Sequence, residues 1–352
     1  MARYVGIDAH KESCTLAVMG PSGRRLKELR IETSAIAIKT ALKSIDDERH
    51  VCLEEGELSA WLYELCEPLS EETVVVQPAR RTGNKNDSID AWSLADQMRR
   101  GELKQPVYKA PSAFRPLREA VRCYEGVLGD SVRIKNRLRA VFRARGIQAP
   151  PEEIYSGRSR TSWLAKLPPA VRRRATILGD ELDAMQDLRN DATVWLREEA
   201  AKVPAVKLLS TAPGIGRVRG AQIAATVVTP HRFRTSRQFW NFCGLGIVTH
   251  SSSDWAKDAR AGWVRKETAQ TRGLNRNRNP MMKQVFKGAA LTVIQKQGDH
   301  PLARRYAQLL ETTKPNLARL TIARKIAATV LAMWKNKEVY DPTRGERPPE
   351  RG

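Results

Sequence analysis

Four carboxylates in the first hundred residues could do chemistry together: Asp8, Glu54, Asp87 and Asp90. Divalent cations such as Mg²⁺ or Mn²⁺ take several hard oxygen ligands, so the acids of such a site must be gathered from separate elements. Two such ions, about 3.5–4 Å apart, clamp the attacking and leaving oxygens of a phosphoryl transfer. Glu55 and Glu57 compete for the place of Glu54, because the alternation of Val51 and Leu53 leaves open which acid points inward. Plainer readings exist for each. Asp8 could simply cap a strand, and Asp87 with Asp90 could complement the positive end of a helix dipole.

The elements that must position these acids read as an α/β domain. Arg3 to His10 forms a strand in which Val5 and Ile7 alternate as in a half-buried strand, with Asp8 at its end. Ser13–Met19 and Leu26–Ile31 continue it as a meander around a Pro-Ser-Gly turn. Ala35 to Ile45 is amphipathic and predicts a helix. His50 to Glu54 predicts a short buried strand ending in an acid, and Leu58 to Leu69 a helix with Trp61, Leu62, Leu65 and Leu69 on one face. Thr73-Val74-Val75-Val76 fits a strand buried on both faces. A loop rich in Gly, Asn and Lys then gives way to a helix near Asp87, on which Asp87 and Asp90, at i and i+3, share a face. Ile89, Leu94 and Met98 are predicted to face the sheet, and residues 101–111 to be a connector. A strand carrying an acid and running into a meander is how a ribonuclease-H-like core begins, and strands alternating with helices agree with it.

The remainder reads as helical. Leu117 to Phe142 carries a long helical stripe that Gly126 and Gly129 threaten to interrupt. Pro150, Pro151, Pro168 and Pro169 bracket a stretch predicted to be irregular. A second long helix runs through Leu182, Met185, Leu188, Ala192, Trp195 and Leu196, and the two could pair as an antiparallel arm or form a dimeric coiled coil. Pro213-Gly214-Ile215-Gly216 between helices has the layout of a helix-hairpin-helix. Gly214 and Gly216 would let backbone N–H groups approach a phosphate, with Arg217 and Arg219 beside them. The alternative is an ordinary tight turn. Phe233, Phe239, Trp240, Phe242 and Leu245 suit a compact core better than a base-stacking surface. Residues 250–254 form a polar loop containing His250, read as a loop or DNA contact. Arg272, Arg276 and Arg278 form a basic one, and Leu317 to Trp334 a closing helix. A tail rich in Pro, Arg and Glu, 341–352, is expected to be disordered.

Charge separates the two parts. The net charge is +22, yet residues 1–110 hold 16 Lys and Arg against 18 Asp and Glu, while residues 111–352 hold 45 against 21. An excess so one-sided points to a polyanion, nucleic acid first, and an anionic membrane less, since no amphipathic anchor accompanies it. No run of about 18 apolar residues occurs, which predicts a cytoplasmic protein without a membrane span. Five scattered cysteines without a Cys-x-x-Cys pair argue against a zinc site or a disulfide framework.

Three segments together carry a family resemblance. Val5-Gly6-Ile7-Asp8, Cys52-Leu53-Glu54 and Asn84-Lys85-Asn86-Asp87-Ser88-Ile89-Asp90-Ala91 resemble the motifs of the DEDD transposases of insertion sequences, relatives of the pilin-gene invertases. Pro213-Gly214-Ile215-Gly216, Arg237-Gln238-Phe239, Gly244-Leu245 and the serines at 251–253 resemble that family's second domain, so the likeness spans nearly the whole chain. The resemblance implies a RuvC-like, ribonuclease-H-fold domain at 1–110 with Asp8, Glu54, Asp87 and Asp90 on Mg²⁺ or Mn²⁺. It also implies a helical coiled-coil arm at 111–202 and a mainly α transposase domain at 203–340 with a catalytic serine that joins covalently to DNA. Counted from Gly244-Leu245, that serine carries over to Ser252, with Ser251 and Ser253 still in play. Further implications are donor and target DNA as partners, a structured noncoding guide (bridge) RNA, and a homo-oligomer, dimer or tetramer, with a composite site between protomers. Two other functions fit parts of the pattern: a structure-specific nuclease that needs the acids alone, and a non-catalytic nucleic-acid-binding protein.

Overall fold

β1 (Ala2–Ala9) is buried on both of its faces, so the half-buried strand read from Val5 and Ile7 is corrected: Val5, Gly6, Ile7 and Asp8 are all buried. The reason is a cover of helices on each side of its sheet. The computed structural model describes residues 1–78, 87–103, 105–249, 255–258, 262–265 and 271–342, and the chain divides into units Met1–Ala113 and Phe114–Gly352. In the first unit β1 joins β2 (Ser13–Met19), β3 (Arg25–Glu32), β4 (Glu48–Glu54), β5 (Glu72–Val76) and β6 (Pro106–Val107) in one sheet of order β3-β2-β1-β4-β5-β6. β1 runs antiparallel to β2 and parallel to β4, β4 is parallel to β5, and β6 returns antiparallel from within the expected connector. This mixed order is compatible with a ribonuclease-H-like core.

Parallel neighbours require crossovers, and helices supply them. α1 (Ala35–Lys43) is capped by Ser34, whose Oγ accepts from the Ala37 N–H at 3.2 Å. With α2 (Ser59–Cys66) it covers one face: Val5, Ile7, Leu16, Val51, Leu53 and Val75 pack there on Ile38, Leu42 and Leu62. α3 (Asp87–Arg100) covers the other, where Tyr4, Ala17, Met19, Cys52 and Val76 meet Ala91, Trp92, Leu94, Ala95 and Met98. The side-chain period of two along each strand thus sorts the sequence between the layers. Ile89 was expected to face the sheet and instead is 57% exposed. Small residues take its place because α3 sits directly on Gly6. A Cβ added there would run into the Ala91 carbonyl oxygen and stand 2.6 Å from the Ala95 amide nitrogen.

In the second unit α4 (Arg115–Arg143) and α7 (Pro169–Ala201) form an antiparallel hairpin, joined by α5 (Pro151–Tyr155) and α6 (Gly157–Ala165). α4 runs unbroken through Gly126 and Gly129. Each glycine costs about 1 kcal/mol, and the buried stripe Leu117, Val121, Tyr124, Ile134, Leu138 and Val141 outweighs that cost. The stretch between the proline pairs is helical rather than irregular. Arg160 of α6, 4% exposed, fixes it to α7 by bonding both oxygens of Asp183 at 2.8 Å and the Ile154 carbonyl oxygen at 2.9 Å. At the base of the hairpin Leu117, Val121, Ala192 and Leu196 enter the main core. That core is completed by α8 (Pro204–Leu209), α9 (Arg217–Val227), α10 (Ser236–Phe242), α11 (Pro280–Lys296), α12 (Pro301–Leu310) and α13 (Pro315–Asn336). Phe233, Phe239, Phe242 and Phe286 pack ring against ring inside it. Among the described residues between α10 and α11 lie four short strands that the sequence did not signal. β7 (Ile247–Thr249) pairs with β10 (Thr271–Leu274), and β8 (Trp255–Asp258) pairs with β9 (Gly262–Arg265). The tail beyond Pro342 lies outside the described residues, and among those residues no helix is long and apolar enough to cross a membrane.

Gly6→Ala should destabilise the first unit by about 1–3 kcal/mol, because backbone atoms cannot move aside as side chains do; urea denaturation measures it. Arg160 holds the Asp183 carboxyl below the usual carboxylate range. That contribution is present above the unfolded carboxylate pKa and is lost as pH falls through the lowered folded value. Asp183→Asn should therefore lower the melting temperature at pH 7, and the gap to the parent should close on acidification.

Candidate functional site

The carboxyl ends of β1 and β4 are neighbours, with Ile7 opposite Leu53 in parallel register, so Asp8 and Glu54 follow side by side. Asp8 lies two residues after Gly6 and Glu54 two after Cys52, which puts both on the face covered by α3. Asp90, 5% exposed, precedes Ala91, the residue seated on Gly6. Asp8 is 9% exposed, and its Oδ2 lies 3.2 Å from His10 Nε2. Asp8 and Glu54 thus stand together at one end of the sheet on the face that α3 covers, and Asp90 is buried on that helix. Asp87 opens the same helix, and its side chain lies outside the described residues.

Local contacts separate the three competing glutamates. Glu55 pairs with Lys109 at 2.6 Å, and the same ammonium donates to Ser59 Oγ at 3.0 Å. Glu57 is exposed. Glu54 faces α3, where burial first, and then the Glu54 charge, pushes the Cys52 thiol up to about 12. As hard oxygen donors, Asp8, Glu54 and Asp90 fit the chemistry of a divalent cation. Among the described residues no group of three or more His, Cys, Asp or Glu side chains is gathered closely enough to hold a metal ion.

Sequence reasoning missed Glu28. From edge strand β3 its Oε2 accepts from Ser88 Oγ at 2.7 Å and from Trp92 Nε1 at 2.6 Å, while Arg25 lies over the Trp92 ring at 4.9 Å. These bonds hold the Glu28 carboxyl below its ordinary range. They tie down the first turn of α3, the turn that bears Asp87 and Asp90. Only a contact 60 residues distant in sequence could have pointed to it.

The turn at 213–216 in the second unit is divided between fold and surface. Gly214 is buried at φ +68°, and a Cβ there would collide with the Ala289 carbonyl of α11, so only glycine fits. Its carbonyl accepts from Arg219 Nη1 at 2.7 Å, and the same nitrogen donates to Thr292 Oγ1 at 3.0 Å. Arg219 is therefore engaged inside the fold, and burial lowers its pKa. Gly216 and Arg217 are exposed at the start of α9, where no side chain caps the helix.

Arg276 is exposed. Arg278 Nη1 donates to the Asn275 carbonyl at 3.3 Å, and its stem fills the space beside Gly244, itself at φ +65°. Near it stand Lys283 and Lys287, one helical turn apart on α11. Burial first, then the like charges of Arg278 and Lys287, hold the Lys283 ammonium below its ordinary range. The two lysines were not singled out in the sequence, although their i, i+4 spacing was available. β10 carries Arg272, whose side chain lies outside the described residues, as do His250, Ser251, Ser252 and Ser253. The flanks of that serine segment are β7 on one side and β8 on the other.

Comparison with known proteins adds two matches to family models and one relative. Residues 5–145 match a model described as transposase, of the DEDD IS110 type, and residues 206–308 match the model of the transposase IS116/IS110/IS902 family. The "Insertion element IS116 uncharacterized 44.8 kDa protein" of Streptomyces clavuligerus is 23% identical over 401 aligned positions, which cover 96% of each chain.

Glu28→Ala should speed amide hydrogen exchange over residues 88–92, while Glu28→Gln, which keeps an acceptor oxygen, should remain close to the parent. Equal exchange in all three proteins would mean that the clamp does not hold α3.

Proposed function

The chain belongs to the IS110 family of transposases, and on that premise we propose that it cleaves and rejoins DNA through a serine–DNA ester formed by Ser252, assisted by a metal site of Asp8, Glu54, Asp87 and Asp90. The observation that supports the reading is the placement of Asp8 and Glu54 side by side at the carboxyl ends of β1 and β4, on the face covered by α3, the helix that bears Asp87 and Asp90. A bound pair of divalent ions would supply charge stabilisation to the transferring phosphoryl group.

The protein's own groups do the rest. Arginines and lysines of the second unit, with Arg217, Arg276, Arg278, Lys283 and Lys287 foremost, hold DNA phosphates. Ser252 Oγ attacks phosphorus; the Oγ–P bond forms as the phosphorus–sugar oxygen bond breaks, the serine hydroxyl gives its proton to water, and water gives one to the departing sugar oxygen, so none is gained or lost. A hydroxyl of a new strand reverses the step, so the energy of the broken bond is conserved in the ester and no nucleotide cofactor is consumed. His10, beside Asp8, positions that carboxylate. A structured noncoding RNA choosing donor and target DNA, and a homo-oligomer that brings acids and serine together from different protomers, complete the reading. The helical hairpin of α4 and α7 is proposed as the arm of that assembly, and the boundaries 1–110, 111–202 and 203–340 as its functional divisions.

Ser252→Ala should abolish both strand cleavage and the protein–DNA adduct seen on denaturing gels, with DNA and RNA binding kept. Ser251→Ala and Ser253→Ala should retain partial activity. Cleavage at the parental rate by Ser252→Ala, with no adduct, would make the protein a hydrolytic nuclease instead. Asp8→Asn should lose cleavage at least a hundredfold while binding DNA as the parent does, and binding itself should weaken steeply with salt, because each neutralised phosphate releases counterions.

A further inference from the structure

Trp263 of β9 is 68% exposed, whereas Trp92 and Trp334 are buried in their cores. It belongs to a ribbon that β8 and β9 form as a two-stranded sheet of their own. The strands run antiparallel in the register Trp255↔Arg265, Ala256↔Val264, Lys257↔Trp263 and Asp258↔Gly262. Residues directly opposite one another share a face, and so do residues two apart along a strand. The register therefore places Trp255, Lys257, Trp263 and Arg265 on one face, and Ala256, Asp258, Gly262 and Val264 on the other. Both tryptophans and both basic residues of the ribbon fall together, and its one acid falls behind them. This sorting is hidden in the sequence, because it exists only once the two strands are paired.

A face of this composition calls for a partner with two properties. Tryptophan gains by covering a flat apolar ring, and lysine and arginine gain from an anion. An apolar protein surface would meet the first need and leave the second unmet. A nucleic-acid strand meets both, since every base has a π-face and every nucleotide brings a phosphate. Two basic residues and no acid give this face the charge complementary to those phosphates. The bases must be unpaired, because inside a duplex each base face is already covered by its stacked neighbours. Position in the chain selects DNA. Trp255 follows Ser252, the residue proposed to attack DNA, by three positions, and so short a stretch spans at most about 11 Å. We propose that the Trp263 face of the β8–β9 ribbon stacks on unpaired bases of the DNA strand beside the cleavage point, a reading that rests on the nucleic-acid function proposed above. The ribbon thereby keeps the bases next to the scissile phosphate from pairing again before the strand is passed on.

The test uses the full chain and fluorescence anisotropy with labelled strands of one length: oligothymidine DNA, DNA abasic throughout, oligouridine RNA and a DNA duplex. The parent should bind oligothymidine about tenfold more tightly than the abasic strand. Trp263→Ala should remove most of that difference and leave affinity for the abasic strand and the duplex at parental values. Trp263→Phe, which keeps an aromatic face, should retain most of it. Trp263 is exposed, so neither substitution opens a core. Oligothymidine and abasic strands bound alike by the parent, or oligothymidine bound alike by the parent and Trp263→Ala, would overturn base stacking and leave the nucleic-acid reading standing. A larger loss on oligouridine than on oligothymidine would overturn the assignment to DNA. Loss of self-association in sedimentation, with oligothymidine binding intact, would overturn the proposal in favour of a protein contact. A parent that binds none of the four would overturn both readings.

Discussion

A missing side chain governs the first unit. At Gly6 the backbone of α3 lies against the backbone of β1, closer than any Cβ would permit. That approach sets the distance between α3, which bears Asp87 and Asp90, and the strand ends that bear Asp8 and Glu54, since a helix held one side chain farther out would lift its acids away from them. It also dictates alanine at 91 and 95 and sends Ile89 to solvent. Glu28 works to the same end from the sheet's edge: one carboxylate oxygen bonded to both Ser88 and Trp92 fixes the helix in rotation as well as distance. The acids depend on a contact that none of them makes.

The strands of the first unit, β6 apart, were legible in the sequence because their apolar pattern is strong, and their order in the sheet was not. Val5, Ile7, Val51, Leu53 and Val75 lie on one face as the period of two requires. What periodicity could not supply was contact across distant sequence. Ile89 obeys the apolar pattern of a helix face, yet only knowledge that Gly6 lies beneath explains why alanines take the contact. The same limit hid β6, whose two residues are too short to carry a pattern, and the four short strands between α10 and α11. Glycines misled in α4, where local propensity argued for a break and the packing of α7 along the whole helix overrode it.

In the second unit the conspicuous motif turned out to mix two roles. Gly214 and Arg219 are bound up with α11, whereas Gly216 and Arg217 look outward from the start of α9. A motif read from residue types alone treats its four members as equals, and burial divides them. For Lys283 and Lys287 the reverse holds: unremarked in the sequence, they gather with Arg278 closely enough for like charges to be felt. The basic excess beyond residue 110 is therefore concentrated in places, and concentration rather than sum is what a phosphate encounters.

Both margins of the sheet are ill suited to accept a further strand. β3 presents Arg25, Lys27, Glu28, Arg30 and Glu32 along an exposed strand whose pairing with β2 is broken by a register shift near Met19. β6 is two residues long and opens with Pro106, which has no N–H to offer. Exposed strand edges invite pairing with other chains, and mixed charges, irregular register and proline are the means by which folded proteins resist it. The sheet of one copy is therefore closed to edge-to-edge pairing with that of another, and any contact between copies falls to helical and loop surfaces.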